Sequence, residues 1–176
     1  MKQIKLIVLL ILFSVLNNTY ADDGSKLWLN YKPLENTQLK EKYAQLFENI
    51  YIAGEGETTQ AILEELKTGL NGMLEKKVSI SSEWNMQGLI VGTPSGCEQI
   101  AALKIEKQLE KLGNDGYIIA SKKIDKKNVL VVASQSNIGA LYGTFHFLRL
   151  VKTESNFDNI EISESPKHQH RVLNHW

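Results

Sequence analysis

Apolar runs of two different periods alternate along the chain, and this alternation constrains the fold more than any other feature. Residues 49–55 (NIYIAGE) and 88–93 (GLIVGT) are short apolar runs that contain β-branched residues and end at glycines, as buried strands do. Residues 58–74 carry apolar side chains three and four positions apart, the period of a helix that packs on one face, with Thr58 or Thr59 as its cap. We therefore predict an α/β (α+β-like) fold, a mixed β-sheet with helices packed on it.

Further segments extend this pattern. Helices are predicted over about 95–112, with Gly113 as the C-cap, and over about 136–152, with Ser136 as the N-cap. Where flanking strands run in parallel, right-handed crossovers would place the first two long helices on a common face of the sheet. Strands are predicted in SKLWLNYKPL, KVSISSE, YIIASKK, NVLVVAS and FDNIEISESP, which start at residues 25, 77, 117, 128 and 157. A polar hairpin connection would join the third and fourth of these strands.

The N-terminus has the layout of a secretory signal peptide. Lys2 and Lys5 precede and flank the start of an apolar run over 6–16, and Ala21 supplies a small residue for cleavage. The run is shorter than the roughly 20 residues that a membrane-spanning helix needs. We therefore predict a signal peptide over 1–21, a periplasmic or secreted protein, and no membrane attachment after cleavage.

Charge and cysteine content argue against a nucleic-acid partner and against an internal disulfide bond. Without the two lysines of the signal peptide, 18 basic side chains face 20 acidic ones, a balance that does not favour a nucleic-acid partner. Cys97 is the single cysteine, so no internal disulfide can form. A lone cysteine in a helical pattern is typical of a small buried apolar side chain.

Two glycine-containing loops stand between a strand and a helix, where phosphate-binding loops occur. The loops 53–59 (AGEGETT) and 91–98 (VGTPSGCE) contain neither Gly-x-x-x-x-Gly-Lys-Ser/Thr nor Gly-x-Gly-x-x-Gly. Glu55 and Glu57 would repel an anion, although they suit the positive end of a helix dipole. We interpret both loops as turns and expect no cofactor.

Histidines and carboxylates do not form a recognisable catalytic or metal site. His168 and His170 share one side of an extended strand, a spacing that can hold zinc, but His175 has the opposite parity. This pattern favours ordinary surface or packing histidines. Paired carboxylates, as in LEEL, lie on polar helical faces, and none is marked out as a general acid and base. We expect neither catalytic nor metal-binding residues in this chain.

Three stretches together resemble the N-terminal region of the α-glucuronidases of glycoside hydrolase family 67. They are DGSKLWLNY, SNIGALYGTFHFLRLV and ISESPKHQHRVLNHW. Family members open with Asp-Gly-x-x-Leu-Trp-Leu-x-Tyr, matched by residues 23–31. They reach a catalytic barrel through a proline and Arg-x-Leu-Asn-His-Trp, matched by Pro166 and residues 171–176. The helix motif also precedes the barrels of β-hexosaminidases, so the two terminal motifs carry the specificity.

The resemblance implies a fold and a domain division. Residues 22–165 would form an α/β domain of the hexosaminidase/α-glucuronidase N-terminal type, and residues 166–176 would begin the first strand of a (β/α)₈ barrel that is absent from the sequence. The barrel would be the domain's partner. Without it, the domain would leave an apolar patch on its surface.

The resemblance also implies an activity for the complete enzyme. It would be an inverting glycosidase that removes (4-O-methyl)-α-D-glucuronic acid from xylan-derived oligosaccharides, with its carboxylates downstream of Trp176. The domain itself would be non-catalytic. Trp176, and less directly Asn174, would line the sugar pocket in the complete enzyme, where an indole can pack on a sugar face and donate a hydrogen bond.

Other functions stay open on the sequence. A freestanding carbohydrate-binding or interaction module would need an exposed aromatic platform, and Trp28, Trp84 and Trp176 are scattered along the chain. The N-terminal domain of a β-hexosaminidase-like enzyme is disfavoured, because those enzymes do not share the LNHW motif found at residues 173–176. A nucleotide-binding domain is disfavoured by the chemistry of both strand-to-helix loops.

Overall fold

A computed structural model describes residues 30–81, 83–84, 87–124 and 126–168. The predicted signal peptide, Trp28, Asn174 and Trp176 lie outside these ranges, as do His170 and His175. Within them, no helix has the length and hydropathy needed to cross a membrane.

The described residues form strands and helices in alternation, as predicted. The strands are β1 Asn49–Ile52, β2 Ser79–Ser81, β3 Gly88–Gly92, β4 Tyr117–Ile124, β5 Lys127–Ser134 and β6 Glu161–Glu164. The helices are α1 Thr37–Leu46, α2 Glu57–Leu74, α3 Glu98–Ala101, α4 Glu106–Leu112 and α5 Asn137–Lys152.

All six strands join one mixed sheet in the order β2-β1-β3-β5-β4-β6. β1 pairs in parallel with β2 and β3, and β3 pairs in parallel with β5, with Ile90 opposite Val131. β4 runs antiparallel to both β5 and β6. The mixed sheet is therefore confirmed, with β4 as the strand that reverses direction.

Helices cover both faces of this sheet. Leu130 and Val132 of β5 belong to a core beneath α1, α2 and α5, whereas Val129 and Val131 belong to a second core beneath α3 and α4. Because side chains alternate along a strand, a strand that is buried on both faces reads as a continuous apolar run. The predicted common face is not found. The chain leaves β3 through α3 and α4 to reach an antiparallel strand, so the condition for that prediction is not met.

Four aromatic rings fill the larger core at the point where α1 meets α5. Phe47 lies edge-on to Phe147 with ring centroids 5.1 Å apart, and both rings contact Phe157 at 5.5 and 5.7 Å. Tyr43 contacts Phe47 at 5.6 Å. All four side chains are buried, so this cluster ties the first and last helices to the segment before β6.

The helix α1 was missed by the sequence analysis. Asn36 caps it, because its Oδ1 accepts a hydrogen bond from the Leu39 amide at 3.1 Å. The cap and the four-residue spacing of Leu39, Tyr43 and Phe47 were both visible in the sequence. The strand predicted from residue 25 is wrong for its described part, because residues 30–34 are irregular.

The helix predicted over 95–112 is two short helices. A turn over 102–105 separates α3 from α4, with Lys104 in the left-handed region at φ 55°. The break lets Ile100 and Ile105 both face the second core. The predicted cap at Gly113 is confirmed, since its amide donates to the carbonyl of Leu109 at 3.2 Å.

The two predicted N-caps have different outcomes. Ser136 caps α5 as predicted, with its Oγ accepting the Gly139 amide at 3.0 Å. The N-cap position of α2 is Gly56, and no side chain caps it. Thr59 instead donates its hydroxyl to the carbonyl of Glu55 at 3.2 Å, so the prediction of a threonine cap is wrong.

Candidate functional site

Three neighbouring parallel strands, β1, β3 and β5, end at the same edge of the sheet. From this edge the chain continues into α2 and α5 on one face, and into α3 on the opposite face. In open α/β sheets, the crevice between strands whose connections leave on opposite faces is where ligands bind. We call the loops at this edge, residues 53–56, 93–97 and 135–136, the carboxyl edge.

The loops of the carboxyl edge lie close together. A methyl group placed on Gly54 would lie 3.3 Å from Thr59 Oγ1 and 3.7 Å from Asn137 Oδ1. A methyl group on Gly96 would lie 3.2 Å from Thr93 Oγ1 and 3.9 Å from the Cα of Gly54. The chain segments that follow β1, β3 and β5 therefore meet, and Gly54 allows the approach at φ +112°.

The loop after β3 uses its polar groups internally. Thr93 is buried, its Oγ1 accepts the Gly96 amide at 3.1 Å, and it lies 3.1 Å from Ser95 Oγ. Cys97 is buried as predicted, and burial raises the pKa of its thiol, so the sulfur stays protonated at neutral pH. This arrangement supports the interpretation of the loop as a turn.

The loop after β1 borders a shallow cleft of about 510 Å³. Glu55 lies in its wall and Glu57 stands in the first turn of α2, where a carboxylate complements the helix dipole. The part of the cleft lining that the structure describes includes no lysine or arginine. A phosphate group would therefore meet negative charge here, and the cleft suits a neutral ligand better than an anionic one.

Some carboxylates elsewhere in the domain take part in surface ion pairs. Lys42 Nζ of α1 lies 2.9 Å from Oδ1 of Asp158, which precedes β6. The hydrogen bond from this lysine holds the pKa of the Asp158 carboxyl below its usual range. Lys40 lies 2.6 Å from Glu75 just past α2. Both pairs join separate elements at exposed positions, where they contribute little stability each.

The residues predicted for sugar and metal contacts fall at the end of the chain. Trp176 and Asn174 lie outside the described residues, so their proposed pocket contacts stay predictions. His168 is described and exposed, whereas His170 and His175 are not described. In the described ranges, no three His, Cys, Asp or Glu side chains are placed to hold a metal ion.

Trp84 does not supply an exposed aromatic platform. Its ring is half-buried against the second core and lies 6.1 Å from the ring of Tyr51. Its Nε1 is buried and has no hydrogen-bond partner among the described residues. A sugar-binding platform needs an open ring face, so this tryptophan does not favour the carbohydrate-binding alternative.

A half-buried histidine that the sequence analysis missed lies between α5, β4 and β6. His146 Nδ1 lies 2.9 Å from Tyr117 Oη, and the two rings meet edge-on. Burial lowers the pKa of His146, the charge of Arg149 lowers it further, and Glu164 opposes the shift. Burial also raises the pKa of Tyr117. Twenty-nine positions separate the two side chains, so no local pattern could have paired them.

The lowered pKa of His146 makes a prediction for stability against pH. Below the ordinary pKa of 6.5, the unfolded chain takes up a proton that the folded chain resists, so the free energy of unfolding falls as the pH drops. We expect urea midpoints to fall more between pH 8 and pH 5 in the wild type than in His146→Gln. Equal falls in both proteins would show that His146 titrates normally in the folded state.

Comparison with known families identifies the domain. A family model described as the N-terminus of glycosyl hydrolase family 67 matches residues 27–147, more than half of the chain. The chain belongs to family 67. The resemblance to the N-terminal region of family 67 is thereby confirmed. The matched region begins within the opening motif, includes most of α5, and ends before the closing motif.

Two curated proteins are similar to this family 67 chain over most of its length. A probable alpha-glucuronidase A of Aspergillus terreus is 26% identical over 159 residues, which cover 90% of this chain and 18% of the relative. Alpha-glucuronidase A of Emericella nidulans is 25% identical over 163 residues, which cover 89% of this chain and 18% of the relative. The chain therefore spans less than a fifth of the length of either relative.

Solved structures are also similar to part of the family 67 chain. One of them is a family GH115 4-O-methyl-alpha-glucuronidase with specificity for decorated arabinogalactans. The similarity has a TM-score of 0.45 at 20% identity and covers 67% of this chain and 17% of that protein.

Proposed function

We propose that this chain is the N-terminal, non-catalytic domain of an exported α-glucuronidase. In complete form, the enzyme would hydrolyse α-linked (4-O-methyl)glucuronic acid from xylan-derived oligosaccharides with inversion. The observation that carries this proposal is the match of residues 27–147 to a model of the family's N-terminus. The names of the two relatives, an alpha-glucuronidase A and a probable one, supply the activity.

The structure supports a non-catalytic role for the described residues. The carboxyl edge holds its buried threonine in bonds within its own loop. Its Glu55 and the adjacent Glu57 are exposed beside the N-terminus of α2. An inverting glycosidase needs two carboxyl groups on opposite sides of the scissile bond, one to protonate the leaving oxygen and one to activate water. We assign these groups to the part of the complete enzyme that follows this domain.

The sugar contacts in this proposal come from the end of the chain. Residues 166–176 would begin the first strand of the catalytic barrel, and barrel enzymes place their chemistry at the carboxyl ends of such strands. Trp176 would pack against the glucuronic acid ring there, and Asn174 would contribute to the same wall. Neither contact can bind sugar strongly until the remaining strands complete the pocket.

The chain of 176 residues is expected to release no glucuronic acid from aldouronic acids. Free glucuronic acid is likewise expected to cause no saturable quenching of its tryptophan fluorescence, because a single pocket wall buries too little of a sugar. Alpha-glucuronidase A of Emericella nidulans, assayed in parallel, is the positive control. Turnover by this chain that Glu55→Gln or Glu57→Gln abolishes would place catalysis inside the domain and overturn the proposal.

A further inference from the structure

The helix α5 has apolar side chains on the side that faces away from the sheet. Its buried residues are Gly139, Ala140, Gly143, Thr144, Phe147, Leu148 and Val151. At 100° per residue, Ile138, Tyr142 and Phe145 fall on the opposite side, and we call these three residues the α5 outer face. Ile138 is 43% exposed, the most exposed large apolar side chain among the described residues. A helix that is apolar on both sides has a second surface to bury.

The neighbouring helix in the same layer is different. The outward positions of α2 are polar and exposed, namely Glu57, Gln60, Glu64, Lys67 and Thr68. Both helices cover the same core and differ on their outer sides. The apolar outer side is therefore a property of α5 and not of the helical layer as a whole.

The chain leaves the domain beside this helix. β6 ends at Glu164, which pairs with Tyr117 at the start of β4, and the hydroxyl of Tyr117 contacts His146 on the flank of α5. The next residue, Ser165, donates its hydroxyl to the carbonyl of Leu112 at the end of α4, at 2.7 Å. A polypeptide that continues past Pro166 therefore starts at the edge of the sheet, between the flank of α5 and the end of α4. The relatives are more than five times as long as the segment they share with this chain, and the shared segment corresponds to the family's N-terminus.

We propose that the α5 outer face is the docking surface for the catalytic domain that follows this domain in the complete enzyme. This inference rests on the proposed function and specifies the partner. Arg149 and Lys152 continue the same side of α5 toward its C-terminus and are exposed. The partner surface would therefore be apolar opposite Ile138 and Phe145, and would carry carboxylates opposite Arg149 and Lys152.

Hydroxyl-radical footprinting tests the surface directly, because it labels side chains according to their exposure. Two proteins are compared: the chain alone, and the chain joined at its C-terminus to the part of the Aspergillus terreus relative that follows the aligned segment. Labelling of Tyr142 and Phe145 is expected to fall by about threefold or more in the joined protein, as side chains at the core of an interface lose their solvent contact. Tyr51, a half-buried tyrosine on the opposite face of the sheet, is the internal control and should not change.

A matched pair of variants tests the interface. Ile138→Asp adds a carboxylate to the α5 outer face in the first turn of its helix. Thr58→Asp adds one at the second residue of α2, the same distance from the helix N-terminus but away from the α5 outer face. Both additions favour the helix dipole, so neither is expected to unfold the chain. Ile138→Asp should return the labelling of Tyr142 toward its level in the chain alone, whereas Thr58→Asp should leave the protection intact.

The outcomes separate this inference from the proposed function, because glucuronic acid release from aldouronic acids is measured on the same joined protein. Protection of Tyr142 supports the docking surface whether or not the joined protein is active. An active joined protein with unchanged labelling of Tyr142 overturns the docking surface and leaves the proposed function standing. Unchanged labelling without activity overturns the docking surface as well. Protection in the chain alone that grows with its concentration would make a second copy the occupant and would also overturn the inference.

Discussion

Alanine in place of Gly139 is expected to destabilise the domain severely. The new methyl group would collide with Ser134 Oγ and would lie 2.5 Å from the carbonyl oxygen of Asn114 and 2.8 Å from that of Gly116. Two of these neighbours are backbone atoms, and Ser134 is held by its own hydrogen bond to Gly116. We expect a loss at or above the upper end of the roughly 1–3 kcal/mol that overpacking costs.

The sign of this effect makes the experiment decisive. Glycine to alanine inside a helix ordinarily stabilises by about 1 kcal/mol, so a local account of α5 predicts the opposite result. Thermal and urea unfolding followed by circular dichroism measure the difference. Gly96→Ala is the control, since its methyl group would meet Thr93 Oγ1 at 3.2 Å and no backbone atom closer than 3.9 Å. An unchanged or raised midpoint for Gly139→Ala would mean that α5 does not begin against these loops.

Truncation of Phe147 to alanine is expected to cost about 3–5 kcal/mol, the usual range for a fully buried phenylalanine. Its ring is inaccessible to solvent and packs edge-on against Phe47 and beside Phe157. Removing it leaves a cavity between α1 and α5 that the sheet cannot close. A domain has only about 5–15 kcal/mol of stability in total, so a large share would be lost.

The same helix offers a matched control for this truncation. Phe145 stands two positions away, half-buried on the α5 outer face, and is not among the side chains that make up either core. In the isolated chain, Phe145→Ala should therefore lower the urea midpoint much less than Phe147→Ala. Equal losses would show that Phe145 is part of the core, and would remove one residue from the proposed docking surface.

Local patterns predicted the central strands well, because burial on both faces leaves a direct trace in the sequence. The centres of β3 and β5, residues 89–91 and 129–132, consist of branched aliphatic residues, and all five residues of β3 are buried. The hairpin between β4 and β5 was likewise visible, although both strands reach closer to the turn than predicted. The N-cap at Ser136 and the C-cap at Gly113 were found because capping depends on side chains within the same few residues.

Features that depend on contacts between residues distant in sequence could not be predicted from local sequence patterns. Residues 102–104 contain neither glycine nor proline, and the break between α3 and α4 instead lets Ile100 and Ile105 reach the same core. The meeting of Gly54, Thr59 and Asn137 depends on the strand order, which periodicity does not determine. For the same reason the pairing of Tyr117 with His146 could not be predicted.

The two edge strands of the sheet limit how this domain can aggregate. Among the described residues, the outermost strands are β2, with three residues, and β6, with four. β6 carries Glu161 and Glu164, and Glu161 pairs with Lys122 of the adjacent strand at 3.0 Å. Short outer strands offer few free backbone groups to another sheet, and the charges of β6 add to this protection against the growth of fibrils. The outer strands of the sheet would therefore compete little with the proposed docking surface on α5.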